Sequence, residues 1–463
     1  MTMTDRRARP PNTELARLIE ACGASKKSLA LRVNQLAHHA GIQASYSHTS
    51  LANWAQRGVT PKWPVPVLLA QAVGERLGRP VTLADIGMEQ GETLDAQVGL
   101  DFARDRADAV RVATSFWSSV NRRDFLTGSG FAASAFTTPV TRWLAIPADQ
   151  TADHSGGRRV GRADLAELRE SADEARRWDS KYGGGNWKAS SVTACLTQRS
   201  APLLRGSFSD AVGRELFSVT AELSRLAGWT AFDVGRHDAA QRHFIQALRL
   251  ARAGGNVQLG CYILTTMAMQ ALLRGFVSEA IDMAQGAHER AKAQAVPRVL
   301  AFTKLIEARA HARDNNAPAA SRALAASECL LGQADARQGD DPAYIDFYHH
   351  ARLSADAAEI FRDLHNPEAA LAWNRQAAAM PPGVFTRSVG MRLAIVGTAH
   401  LQARDLDRGL ALGHQSVDIL ARVQSTRATD YVREFTTALA PWRHEPAVRG
   451  FVHRVRTELN VAA

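Results

Sequence analysis

With 463 residues, 46% of them hydrophobic and 22% charged, the chain has the composition of a folded polypeptide and the length for two or three domains of roughly 150 residues each. No stretch offers the roughly 18 uninterrupted apolar residues of a membrane span, and the basic opening MTMTDRRARPPN is not followed by the apolar run of a secretory leader. The formal charge of +10 is unevenly spread: residues 1–80 carry eleven Lys or Arg against four acids, a net of +7, while residues 81–120 carry seven acids against three arginines, a net of −4. A basic head followed by an acidic segment points to a polyanionic partner for the head; charge alone fits DNA, RNA or a membrane surface equally. Alanine is abundant, aromatics make up 7% and β-branched runs are scarce, so the expected fold class is all-α.

The head reads as short helices in series. Asn12 or Thr13 caps TELARLIEAC, with Leu15, Leu18, Ile19 and Cys22 on one face and Gly23 as its stop. Ser25 caps SKKSLALRVNQLAHHA, with Leu29, Val33, Leu36 and Ala40 on one face, stopped by Gly41. The polar connection IQASYSH leads to Thr49, which caps TSLANWAQRG, closed by Gly58. After Pro61, Pro64 and Pro66, PVLLAQAVGERLG forms a fourth helix and TLADIG a brief fifth. Such a bundle with a basic second-to-third unit predicts a helix-turn-helix domain over residues 1–90, one helix bracing phosphates and the next lying in the major groove. A groove-facing helix needs small or polar residues at its N-terminal end, which Ser47, His48, Thr49, Ser50 and Asn53 supply, while Leu51 and Trp54 point inward. Asn53 and Gln56 suit bidentate contacts to adenine, and Arg57 and Lys62 suit phosphate or guanine; Lys26, Lys27 and Arg32 on the second helix complete the candidate set.

Residues 91–162 read as a connector containing a short helix. Within it NRRDFLTGSGFAASAF, residues 121–136, pairs two arginines with an apolar run in the manner of a twin-arginine leader. Its place more than a hundred residues into the chain, and the interruptions at Pro139 and Arg142, favour a hinge instead. The Gly/Ser/Thr-rich composition continues to HSGGRRVGR at 154–162, and Phe125, Leu126, Phe131, Phe136 and Trp143 are expected to dock the connector on a neighbouring surface.

Residues 163–463 repeat. Gly235 and Ala240 recur forty residues on as Gly275 and Ala280; Ala320 follows after forty more, Ala370 after fifty, and Leu410 after a final forty. Helix, short turn with Gly, Asp or Asn, helix is the grammar of tetratricopeptide repeats, whose usual period is about 34; such stacks offer a concave surface to peptides, small molecules or protein segments. Just before the array, RRWDSKYGGGNWKASSV has three glycines but no phosphate-loop GK[ST], so a helix ending at Tyr182 with a glycine cap is expected.

The pattern S-x-x-SLALRVN, Y-x-HTSLANWAQRG-x-xP and PVLLAQAVGERLGRPVTLADIG closely resembles the head of a family of actinobacterial transcriptional regulators with an XRE-like helix-turn-helix domain and a tetratricopeptide-like body. RRWDSKYGGGNWKASSV and GWTAFDVGRHDAAQRHFIQALRLA resemble the same proteins. The second helix and the polar loop before Thr49 are longer than in compact phage-repressor domains. The resemblance implies a regulator of development or secondary metabolism. A looser likeness is to peptide-sensing helix-turn-helix/tetratricopeptide regulators of other Gram-positive bacteria.

Other chemistry is thinly represented. Cys22, Cys195, Cys261 and Cys329 form no CxxC, no HExxH is present, and no Walker loop, cofactor fingerprint or spaced nucleophile–base pair appears. No catalytic residue, metal or cofactor is expected. The expectation is a cytoplasmic, homodimeric regulator that binds double-stranded DNA, has no membrane partner, and senses a peptide, small molecule or protein through its repeats. The alternative is an interaction adaptor that does not bind DNA.

Overall fold

The computed structural model describes residues 10–39, 45–59, 61, 65–79, 81–83, 85–88, 98–120, 131–147, 156–186, 191–337, 341–377 and 385–459. Among these the fold is all-α, with one isolated bridge between Arg159 and Ser207. The chain divides into two compact units, Met1–Ala96 and Gln97–Ala463.

The head comprises α1 (Thr13–Ala21), α2 (Lys26–His39), α3 (His48–Gln56) and α4 (Val65–Leu77). Their apolar faces meet around Leu15, Leu29, Val33, Leu51, Trp54 and Leu69. Asn12 is the cap of α1 and more besides. Its side chain accepts from the Leu15 amide (3.0 Å) and donates to the Ile86 and Gly87 carbonyls (2.9 and 3.0 Å), while its own amide donates to Ala55 (2.8 Å). One residue thus ties the start of α1 to the end of α3 and to the closing turn of the head. Gly87 leaves the room this needs: it has φ +57°, and a Cβ there would lie 2.5 Å from the Asn12 side-chain oxygen Oδ1. Asn12→Ala should cost about 1–2 kcal/mol, one cap plus donors that no longer cover the turn, read as an earlier urea midpoint for the head.

Two expectations shift. Helix α3 is capped by Ser47, not Thr49: the Ser47 amide donates to the Ser50 hydroxyl (3.2 Å) and its carbonyl accepts from the Ser50 amide (3.0 Å). TLADIG forms turns rather than a helix over its described residues. Thr82 and Asp85 bond each other's amides (2.8 and 3.2 Å), which spends both side chains on a single tight turn. Ala40 and Gly41, the expected end of the second helix, lie outside the described residues.

In the second unit α5 (Arg106–Val120), α6 (Thr137–Ala145) and α7 (Arg162–Tyr182) come first. As expected, α7 ends at Tyr182 with Gly183 at φ +87°. Next α8 (Val192–Cys195) runs through a π turn, Leu196–Ser200, into α9 (Ala201–Leu204). Five helical hairpins follow: α10 (Asp210–Asp233) with α11 (His237–Ala253), α12 (Val257–Leu273) with α13 (Val277–Ala291), α14 (Pro297–Arg313) with α15 (Ala317–Arg337), α16 (His350–Asp363) with α17 (Pro367–Ala377), and α18 (Thr386–Gln402) with α19 (Leu406–Leu420). A last pair, α20 (Thr426–Ala438) and α21 (Pro446–Leu459), completes the unit.

The repeat seen in the sequence is the hairpin turn. Gly235, Gly275, Asn315, His365 and Arg404 all have left-handed φ, between +54° and +86°. After each, the next amide reaches back five residues: Arg236 to Ala231, Phe276 to Ala271, Asn316 to His311, Asn366 to Phe361 and Asp405 to His400, at 2.8–2.9 Å. This helix-ending loop satisfies carbonyls that the helix leaves open. Asn316, Asn366 and Asp405 then cap the returning helix (3.1–3.2 Å). The slot five residues after each turn, Ala240, Ala280, Ala320, Ala370 and Gly409, is buried in every copy; the expected Leu410 lies one residue later and is buried too. Close approach also explains Gly228, where a Cβ would lie 2.6 Å from the Phe244 ring.

The described residues of the expected connector, from 98 on, are packed into this unit. Residues 98–104 lie along α11, where Gln246 donates to the Gly99 and Asp101 carbonyls (2.8 and 2.9 Å) and Arg249 Nε to Ala103 (2.7 Å), with Arg242 bonded to Val98. Farther on, Gln241 donates to Ala132 (2.7 Å) and Arg252 to Pro147 (3.1 Å). Phe102, Phe116, Trp117, Phe136 and Trp143 are buried, and Phe131 meets Phe276 at 5.6 Å. Arg122, Arg123, Phe125 and Leu126 lie outside the described residues.

Candidate functional site

The candidate nucleic-acid interface follows from how α2 is joined to α3. Asn34 clasps Tyr46 from both sides, donating to its carbonyl and accepting from its amide at 2.9 Å each. Tyr46 packs edge-on against Trp54 at 5.1 Å, so the loop returns to the core just before α3 begins. Spacing of three and four then places Thr49, Asn53 and Gln56 on one stripe of α3, opposite the buried Leu51, Trp54 and Ala55. Ser47, His48, Thr49, Gln56 and Arg57 are exposed and Asn53 is half-buried. The Ser50 hydroxyl serves the cap, and the His48 ring lies 3.4 Å from the Thr49 hydroxyl.

The cations divide. Arg32 grips both Glu75 oxygens (2.7 and 3.1 Å) and so bonds α2 to α4. This bond holds the Glu75 carboxyl below its ordinary range. Lys27 is exposed and Lys26 half-exposed at the first turn of α2, beside the amide that Ser25 caps (3.1 Å). Positive side chains there oppose the helix dipole, and an arriving anion relieves them. Lys62 lies outside the described residues.

The second unit contains a cavity of about 790 Å³ whose walls include α7, α10, α12, the residues just before α16, and the starts of α18 and α20. Seven cationic side chains line it against three carboxylates. On one side Arg387 forks onto Asp179 (2.9 and 3.0 Å) and reaches Asp233 (2.8 Å), which also accepts from Arg427 (3.1 Å) and from the Gly184 amide (2.9 Å). Trp229 donates to Asp179 (3.0 Å) and lies under Arg427 at 5.0 Å. Burial disfavours the Arg387 charge, but Asp179 and Asp233 outweigh burial and raise its pKa. Arg427 moves the other way: burial lowers it, and neighbouring Arg387 offsets part of the pull of Asp233. One turn of α10 before Trp229, Arg225 lies over Tyr262 at 5.0 Å, and Tyr262 stacks on Tyr344 at 4.9 Å. Burial raises the Tyr262 hydroxyl, which favours its neutral form.

None of these cavity residues stood out in the sequence as a site. One signal was available: the repeat step of fifty. Its extra residues fall between α15 and α16, where the turn Ala343–Ile345 brings Tyr344 to the cavity wall. Among the described residues no three His, Cys, Asp or Glu converge as metal ligands, and no helix is long and apolar enough to cross a membrane. Burial lowers His243 to about 3 and raises Cys261 to about 12, so both are neutral core groups.

Residues 15–89 match the family described as SP15 N-terminal domain. The match begins within α1, covers α2 to α4 and stops before the second unit. No curated protein and no solved structure matches the chain.

Proposed function

We propose that the chain is a DNA-binding transcriptional regulator, with an XRE-like helix-turn-helix head and a tetratricopeptide-like body that dimerises and senses a peptide, small molecule or protein partner. The observation that carries this reading is the outward stripe Thr49, Asn53 and Gln56 on a helix anchored by Leu51 and Trp54 and followed by exposed Arg57, with Lys26 and Lys27 at the start of α2. Polar side chains able to meet base edges, set beside cations, are what groove reading requires. Two copies would present two such helices to two half-sites.

The test is a gel shift on DNA upstream of the protein's own gene, at about 150 mM salt to suppress non-specific binding. A shift no stronger than that of random DNA refutes the reading. If it holds, Asn53→Ala should weaken specific binding by about 1–3 kcal/mol and leave random-sequence binding unchanged. Arg57→Ala should weaken both and reduce the salt slope by about one. Arg32→Ala should shift the urea midpoint of the head only slightly, because its partner is Glu75 at a half-exposed site.

A further inference from the structure

We propose that the cavity of the second unit binds a small organic anion with a planar apolar body, its negative group meeting Arg225. The inference rests on reading that unit as a sensor, and it names the ligand class.

Arg225 is 4% exposed, yet among the described residues no carboxylate pairs with it and its Nε–H has no hydrogen-bond acceptor. It lies over the face of Tyr262, 5.0 Å away, and near the like-charged Arg176. A buried guanidinium left this way is costly unless a counter-charge reaches it. The contrast inside the same cavity is informative: Arg387 has Asp179 and Asp233, Arg427 shares Asp233, and Arg352 has Asp356 at 2.5 Å. Arg225 alone of these four faces the cavity without an anion, and its planar fork suits carboxylate and phosphate alike.

The remaining walls set the body of the ligand. Trp229, Tyr262, Phe302 and Tyr344 supply flat apolar surface, with Tyr262 and Tyr344 stacked 20° apart in plane. A volume of about 790 Å³ is in the range of cavities that enclose small molecules and far exceeds what a lone inorganic anion fills. Aromatic walls with a buried cation that has no carboxylate partner therefore select an anion carrying a ring system over a bare ion.

The experiment is calorimetric titration of the full chain with two matched pairs: 2-naphthoate against 2-naphthol, and adenosine 5′-monophosphate against adenosine, with inorganic phosphate as a fifth probe. The expected result is saturable binding of at least one ringed anion, about tenfold or more tighter than its neutral partner and than phosphate. Arg225→Met should remove about tenfold of that affinity and Arg225→Lys only part of it; the naphthoate and nucleotide arms tell carboxylate from phosphate. The proposal is overturned if neither anion binds, if a neutral partner or phosphate binds as tightly, or if a folded Arg225→Met variant binds unchanged. The wild-type pairs decide the matter should that variant fail to fold. Repeating the gel shift with the bound anion separates the two readings. Binding without any change in DNA affinity keeps the site and removes the sensor role; absent binding beside an intact DNA shift removes the site alone.

Discussion

Glu359→Gln is expected to destabilise the second unit by about 3–5 kcal/mol, measured as a lower urea midpoint at pH 7. Glu359 on α16 is 3% exposed and accepts from Arg309 of α14 (2.7 Å) and from the Tyr431 hydroxyl of α20 (2.8 Å). Arg309 also donates to Tyr431 (3.0 Å) and lies 3.4 Å from Asp356. Neutralising Glu359 leaves a guanidinium that is 5% exposed with its best counter-charge gone. Burial alone would raise the Glu359 pKa, but Arg309, Arg362 and Arg313 outweigh it and hold it at about 2, against an ordinary value of 4.5. A depressed carboxylate contributes stability that is fully present above its unfolded pKa and lost as pH falls through the folded one. Wild type should therefore lose stability between pH 4.5 and about 2, and Glu359→Gln should show a shallower loss over that window. Equal slopes in the two proteins would show that the acid sensitivity lies elsewhere.

Local signals were legible in the sequence because their causes are local. Asn12, Ser25 and the glycines at 183, 235 and 275 mark helix ends by the bonds and backbone angles those positions need. Steps of forty and fifty located the turns at Gly275, Asn315 and His365 and came within one residue of Arg404, although Asn315, His365 and Arg404 hold a left-handed conformation that glycine would adopt more cheaply. The start of α3 was misplaced by two residues because Ser47, Thr49 and Ser50 are all competent caps, and only the loop that Asn34 clasps selects Ser47. The cavity was out of reach for a different reason. Its ion pairs join residues such as Asp179 and Arg387, 208 positions apart, and no periodicity links them. The packing of residues 98–104 was hidden because α11 grips carbonyl oxygens there, and every residue type has one.

That grip can be broken at one residue. Arg249 is fully buried; its Nε donates to Ala103 (2.7 Å), a second nitrogen reaches the Arg104 carbonyl (3.4 Å), and its guanidinium lies 5.9 Å from the Phe102 ring. Arg242, Gln246 and Arg249 are spaced by four and three, so all three donors rise from one face of α11. Removing the last of them leaves the half-buried Ala103 carbonyl and that of Arg104 without these donors and opens a void beside Phe102. Arg249→Ala should cost about 3 kcal/mol in attachment of this segment, by lost charge-assisted bonds and lost packing together. If the segment opens locally rather than with the whole unit, the same free energy appears as faster exposure. Trypsin cleavage after Arg104 and Arg106 should then accelerate by about a hundredfold, with the unit's helical circular dichroism unchanged before cleavage. Arg249→Lys, which keeps one donor and most of the stem, should fall between. Cleavage of Arg249→Ala at the wild-type rate would mean that the Arg249 bonds do not hold the segment, which the burial of Phe102, Phe116 and Trp117 and the remaining donors Arg242 and Gln246 keep in place.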